Sequence, residues 1–286
     1  MRVVGGSSSH RLAFAVAREL GVPVTPVSFE KIQGGFPDGE RYVRLTDDVR
    51  DRRVVLLQST HPDGMVVELL ILQDAVREGG AREVITFVPY FAYGRQDRVF
   101  EPGEALSARA LARAVSAGSD RVLTLGLHNR ETLKHFTCPV EDVSGMPAIA
   151  RHFQGRVDIV VAPDDGAVRH AEEVASALGV PWDFLEKTRL DALTVKLTPK
   201  SLPVAGKRVG LVDEVISTGG TIAAAVKELR AQGAASVIAA CLHGLFAGSA
   251  LEKLQACDEV ACADTLEGPM TKFSVAPEIA AALRRL

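Results

Sequence analysis

The chain echoes itself. Arg53-Val-Val-Leu-Leu57 leads into a helix-like stretch ending Asp74-Ala-Val-Arg-Glu-Gly-Gly-Ala81 and then into Val84-Ile-Thr-Phe-Val88. In the second half, Arg208-Val-Gly-Leu-Val212 leads into a helix-like stretch ending Lys227-Glu-Leu-Arg-Ala-Gln-Gly-Ala234 and then into Val237-Ile-Ala-Ala240. A repeat of one strand–helix–strand unit points to two similar lobes. Further apolar runs at Val122–Leu127, Ile159–Ala162 and Ser236–Leu242 alternate with helix-like runs at Val66–Glu78, Ala167–Leu178 and Ile222–Gln232. That alternation predicts an α/β protein, each lobe a mainly parallel sheet flanked by helices. With 286 residues and 47% hydrophobic composition there is enough apolar material for two cores. Ser144, Gly145 and Pro147 interrupt the pattern, which places the boundary near Val143–Ile149 and divides the chain into 1–145 and 146–286.

Several classes are argued against. The net charge of -3 comes with no basic block, so no nucleic acid is expected as partner. Met1-Arg-Val-Val-Gly-Gly6 reads as a first strand and turn rather than a leader, and no apolar run is long enough to span a bilayer, so a cytoplasmic location without membrane contact is expected. Cys138, Cys241, Cys257 and Cys262 form no C-x-x-C pair and read as reduced structural thiols.

Chemistry concentrates where the run Val209–Val212 meets Asp213 and Glu214 and then Ser217-Thr-Gly-Gly-Thr221, which opens a helix. Unpaired backbone N–H groups at a helix start hold phosphate. Gly219 and Gly220 permit close backbone approach, the hydroxyls of Ser217, Thr218 and Thr221 add donors, and two carboxylates accept hydrogen bonds from vicinal sugar hydroxyls. The bland alternative, a strand-to-helix connection with surface acids, is weakened by the acid pair at this offset. The first lobe has neither an acid pair nor Thr-Gly-Gly-Thr in its corresponding loop, Gln58 to Met65, so such a cradle should occur once per chain.

Other motifs are weaker alone. Arg95 in Pro89-Tyr-Phe-Ala-Tyr-Gly-Arg-Gln-Asp97 suits a phosphate and Gln96 a base edge, although a solvated loop has the same composition. Lys187-Thr-Arg189 begins a polar stretch reaching Lys200, read as a mobile cationic loop able to close over a polyphosphate. His128 follows one apolar run and Asp164 another, both at carboxyl strand ends, where open α/β sheets bind ligands. His128 suits a metal or phosphate contact and Asp164 a magnesium contact, direct or through water, whereas a lone strand-end histidine is more often structural. Phe36-Pro-Asp-Gly-Glu40 reads as a turn between strands.

Six of these segments in this order, Phe36–Glu40, Tyr93–Asp97, the His128 site, Ala162–Gly166, Glu186–Arg189 and Val212–Thr221, resemble the ribose-phosphate diphosphokinase (phosphoribosyl pyrophosphate synthetase) family in its shorter, archaeal type. The resemblance covers nearly the whole chain. It implies two phosphoribosyltransferase-like domains and transfer of the β,γ-diphosphoryl group of ATP to the 1-hydroxyl of ribose 5-phosphate, with Mg²⁺. By matching position, Lys187 and Arg189 would be catalytic. Phe36, Asp38, Gly39 and Glu40 would contact adenine from a neighbouring subunit of a homo-oligomer, and Arg95, Gln96 and Asp97 would hold ATP within the same one. Arg189, Asp213, Glu214, Ser217, Thr218, Gly219, Gly220 and Thr221 would hold ribose 5-phosphate, and His128 and Asp164 would be the metal-associated pair. The chain departs from the pattern at Glu214, where a second Asp is usual, and at Gly94 and Asp165. Two rival readings are a nucleobase phosphoribosyltransferase, which has no need of the first lobe, and a silent regulatory homologue, which should have lost Lys187, Arg189 or the cradle.

Overall fold

Continuous apolar runs suit parallel strands that helices cover on both faces. The computed structural model, which describes residues 1–30, 36, 38–189, 195–198 and 201–286 and only the backbone at 187–189 and 195–198, forms two six-stranded sheets from such runs. The first has the order Val24–Thr25, Arg2–Gly5, Arg53–Leu57, Glu83–Val88, Arg121–Leu125, Val140–Val143, with every neighbouring pair parallel. The second runs Trp182–Phe184, Ile159–Ala162, Arg208–Ile216, Ser236–Gly244, Glu259–Ala263, Thr271–Phe273, again all parallel. Arg53–Leu57 and Arg208–Ile216 therefore hold the same third place, as the internal echo implies.

The likeness of the lobes goes further than the echo. Each sheet's edge strand is followed by a short antiparallel ribbon, Val27–Ser28 with Arg44–Leu45 in one lobe and Glu186–Arg189 with Val195–Thr198 in the other. The polar stretch from Lys187 to Lys200, read above as a loop, thus has strand pairing in its two described parts. Val195-Lys-Leu-Thr198 alternates with period two, a signal that the surrounding lysines obscure. Residues 190–194 and 199–200, which that reading included, lie outside the described residues.

Two compact units result, one of residues 1–144, 265–267 and 275–286, the other of 145–264 and 268–274. A division into two consecutive blocks would give the last helix, Ala276–Arg284, to the second unit, but it belongs to the first. Its apolar residues Ile279, Ala280 and Leu283 are fully buried, and it packs beside the His10–Leu20 helix. Arg284 donates to the Glu19 carbonyl, and Arg285 pairs with Glu141. In the second unit the odd-numbered residues Val209 and Leu211 share a core with Ile222, Val226 and Leu229 of the Gly220–Ala231 helix. The even-numbered face carries Gly210, where an added Cβ would lie 2.6 Å from a ring carbon of Phe153. The four cysteines are free thiols, two of them buried.

Candidate active site

In the second unit, Arg208–Ile216 runs four residues beyond Val212 because Ser236–Gly244 goes on pairing with it, from Arg208↔Ser236 to Ile216↔Gly244. Its other neighbour, Ile159–Ala162, pairs only with Val209 to Leu211. Beyond Leu211 one edge of the strand is released, and the released part carries Asp213 and Glu214. The chain then bends through Ser217 and Thr218 to Gly219 at φ +73°, in the left-handed region that glycine tolerates best. A Cβ there would stand 3.1 Å from the Ala250 carbonyl oxygen. Below the turn, Ala247 N–H donates to the Ser217 carbonyl at 2.9 Å and Lys253 Nζ to the Thr218 carbonyl at 3.4 Å. The helix starts at Gly220, with no side chain capping it. The first N–H groups of a helix lack intrahelical acceptors, so the turn presents donors as an anion site requires.

Three acids stand near one another at this end of the strands. Asp164 follows Ile159–Ala162 and accepts from Gly166 N–H at 3.1 Å, which fixes its loop. Burial, the adjacent Glu214 and then Asp164 push the Asp213 carboxyl well above the ordinary carboxylate range. Glu214 is nearly buried, and its Oε2 lies 3.3 Å from Nε2 of His170 on the Val168–Leu178 helix. Accumulated carboxylate charge of this kind suits a hard divalent cation, and Mg²⁺ commonly binds through one or two carboxylates together with substrate phosphates. Among the described residues no three His, Cys, Asp or Glu side chains form a metal-holding group. The second unit thus brings Asp164, Asp213, Glu214 and Ser217–Thr221 to one sheet end. The backbone of Lys187 and Arg189 lies in the ribbon.

The first unit carries the remaining candidates. Glu83–Val88 delivers the chain into Tyr90, Phe91 and Ala92, which are buried, and then into the exposed Arg95. Ser59 Oγ accepts from Tyr90 N–H at 3.1 Å, and Thr60 Oγ1 accepts from Ala92 N–H at 2.8 Å while donating to the Tyr90 carbonyl at 3.1 Å. Tyr93 sits at φ +61°, and its hydroxyl donates to Asp63 at 2.7 Å. Asp97 is engaged within the fold: Asn129 Nδ2 donates to it at 2.5 Å and Arg98 Nε at 3.4 Å. Burial opposes ionisation of Asp97, but these bonds hold its carboxyl below the ordinary value. His128 is exposed just after Arg121–Leu125, a strand that ends two residues before its apolar run does. Phe36, Gly39 and Glu40 line a pocket of about 250 Å³ with Phe29, Arg41 and Tyr42, whereas Asp38 turns away to accept from Glu40 N–H at 3.1 Å. Residues 31–35 and Pro37 lie outside the described residues.

Sequence reasoning missed the groups that brace these loops. Ser59, Thr60 and Asn129 are ordinary loop residues until the strands align them. Glu68 and Gln58 fill the crevice between Arg2–Gly5 and Arg53–Leu57, the counterpart of the one that holds Asp164 and Asp213. The fully buried Glu68 accepts from Ser7 N–H at 2.7 Å, Ser7 Oγ at 2.8 Å and Gln58 Nε2 at 2.9 Å. An acid set among the apolar residues Met65–Leu72 of the Gly64–Glu78 helix is the available sequence signal, and it does not reveal the partners.

Two open parallel sheets of one order, the second ending in an acid pair and a glycine turn, define a duplicated phosphoribosyltransferase-type α/β protein. Residues 1–118 match the N-terminal domain of ribose phosphate pyrophosphokinase, and residues 147–278 match the phosphoribosyl transferase domain. Ribose-phosphate pyrophosphokinase of Methanopyrus kandleri is 44% identical over 100% of this chain and 99% of its own, and that of Methanosarcina acetivorans is 40% identical over 100% of both. The crystal structure of phosphoribosylpyrophosphate synthetase from Mycobacterium smegmatis superposes with a TM-score of 0.83 at 32% identity, covering 99% of this chain and 97% of that one. The chain belongs to the ribose-phosphate pyrophosphokinase family.

Proposed function

We propose that this chain transfers the diphosphoryl group of ATP to the 1-hydroxyl of ribose 5-phosphate, giving phosphoribosyl pyrophosphate and AMP. The observation that carries the reading is the sheet end of the second unit, where Asp213 and Glu214 stand beside an uncapped helix start reached through a left-handed glycine. Ser217, Thr218, Thr221 and the backbone between them hold the 5-phosphate; Asp213 and Glu214 accept from the ribose hydroxyls. That orientation leaves the 1-hydroxyl free to attack the β-phosphorus in line as AMP departs, a reaction governed by positioning and charge relief. Arg95 and Gln96 hold the nucleotide, Asp97 supports their loop, and Phe36, Asp38, Gly39 and Glu40 receive adenine from a neighbouring subunit of a homo-oligomer. Lys187 and Arg189 neutralise the transferring phosphates. Asp164 and His128 are the groups that would hold Mg²⁺, which supplies neutralisation of phosphate charge when bound. The reaction is placed in the cytoplasm; among the described residues no helix is long and apolar enough to cross a membrane.

No observation favours the nucleobase transferase or the silent homologue. The test is AMP release from ATP with Mg²⁺, with and without ribose 5-phosphate. Release should depend on the sugar phosphate and fall by about 10² to 10³ in Lys187→Ala, the usual scale for losing one charge-stabilising donor. Full AMP release by that variant would remove Lys187 from the chemistry, and none from folded wild type would overturn the reading.

A further inference from the structure

The even-numbered side chains of Arg208–Ile216 leave the sheet on the face where Gly210 meets Phe153, opposite the core that takes Val209 and Leu211. Glu214 continues that series, directed toward the Val168–Leu178 helix, and it is one methylene longer than the aspartate usual at this place. His170 is the third residue of that helix. Its Nε2 lies 3.3 Å from Glu214 Oε2, with side-chain exposures of 22% and 10%. An N–H at Nε2 donates to a carboxylate in either the neutral or the charged ring. Asp213 reaches back along its own chain to accept from Glu214 N–H at 2.8 Å. The two carboxyls are hydrogen-bonded to each other, and Glu214 also reaches a helix more than forty positions away in sequence.

We propose that His170 is a positioning residue for ribose 5-phosphate, holding the longer Glu214 carboxylate beside Asp213 where a sugar hydroxyl can donate to it. The role rests on the ribose-phosphate reading of the cradle. Without the imidazole, the Glu214 carboxylate loses its contact with the Val168–Leu178 helix, and the cradle loses part of what fixes that acceptor before the sugar arrives.

The experiment is steady-state AMP release by His170→Ala, His170→Gln, Glu214→Ala and the His170→Ala/Glu214→Ala double variant, titrating each substrate separately. For His170→Ala, KM for ribose 5-phosphate should rise about ten-fold, the scale of one hydrogen bond to a charged group, with KM for ATP unmoved and kcat within about two-fold. His170→Gln keeps an N–H donor on a flexible arm and should recover most of the loss. Adding His170→Ala to Glu214→Ala should cost little more, because the acceptor of the contact is already gone. Wild-type KM for ribose 5-phosphate in His170→Ala, equal rises for both substrates, or losses that multiply in the double variant would each overturn the role. If wild type releases no sugar-dependent AMP, the ribose-phosphate reading fails and takes this role with it. An active wild type with an indifferent His170→Ala fails the positioning role alone.

Discussion

Gly219 shows how little latitude the cradle has. Its φ of +73° disfavours any side chain, and an added Cβ would press on the Ala250 carbonyl and on Leu254 Cγ at 3.1 and 3.2 Å. Gly219→Ala should destabilise the second unit by about 1–2 kcal/mol and weaken ribose 5-phosphate binding, read by thermal melting with and without the sugar phosphate. Glu68 is the opposite case, a buried charge satisfied by three donors. Glu68→Ala should cost on the order of 3 kcal/mol in chemical denaturation, because it strands the Ser7 amide and the Gln58 side chain. The acid pair and glycine turn were legible in the sequence because everything they need lies within a dozen consecutive residues. His170, Asn129 and Glu68 were not, since each acts through a contact that only the fold creates.

Strand and helix identities were legible from apolar runs, while strand ends followed hydrogen-bonding partners instead of hydropathy. Arg208–Ile216 outlasts its apolar run at Val212 because Ser236–Gly244 keeps pairing, and Arg121–Leu125 stops before its run does. The ribbon at Glu186–Arg189 was hidden because short paired strands on an exposed edge need no hydrophobic face. At the opposite end of the central strands, Arg208 forks onto Asp158, with Nη2 to Oδ1 at 2.7 Å and Nε to Oδ2 at 3.1 Å. The side-chain and backbone hydrogen bonds from Arg208 lower the Asp158 pKa from 3.8 to about 2. Since the folded value lies below the unfolded one, the contribution is fully present above the unfolded pKa and is lost as pH falls through that window. The pair is exposed, so its contribution is small and screened by salt. Asp158→Asn should melt slightly below wild type at neutral pH, and the difference should vanish between about pH 4 and pH 2; melting curves across that range check it.

The likeness of the two lobes is legible in the echo between Arg53–Ala81 and Arg208–Ala234, whereas their strand order and the destination of the C-terminal helix are not. Ala276–Arg284 has an ordinary amphipathic pattern, and nothing in such a pattern names the surface that will cover it. Ile279→Ala should lower stability by about 2–5 kcal/mol, and the loss should appear as earlier hydrogen exchange in the His10–Leu20 helix, beside which Ile279 is buried. Exchange unchanged in that helix would mean that the C-terminal segment contributes little to the first unit. Ribosomes deliver a chain from its N-terminus, and domains of multidomain proteins generally fold as they emerge. Here residues 1–144 emerge well before 275–286, yet need them before their core is covered. Their partner unit, complete once residue 274 has emerged, can fold sooner. The unit whose synthesis begins earlier is completed later.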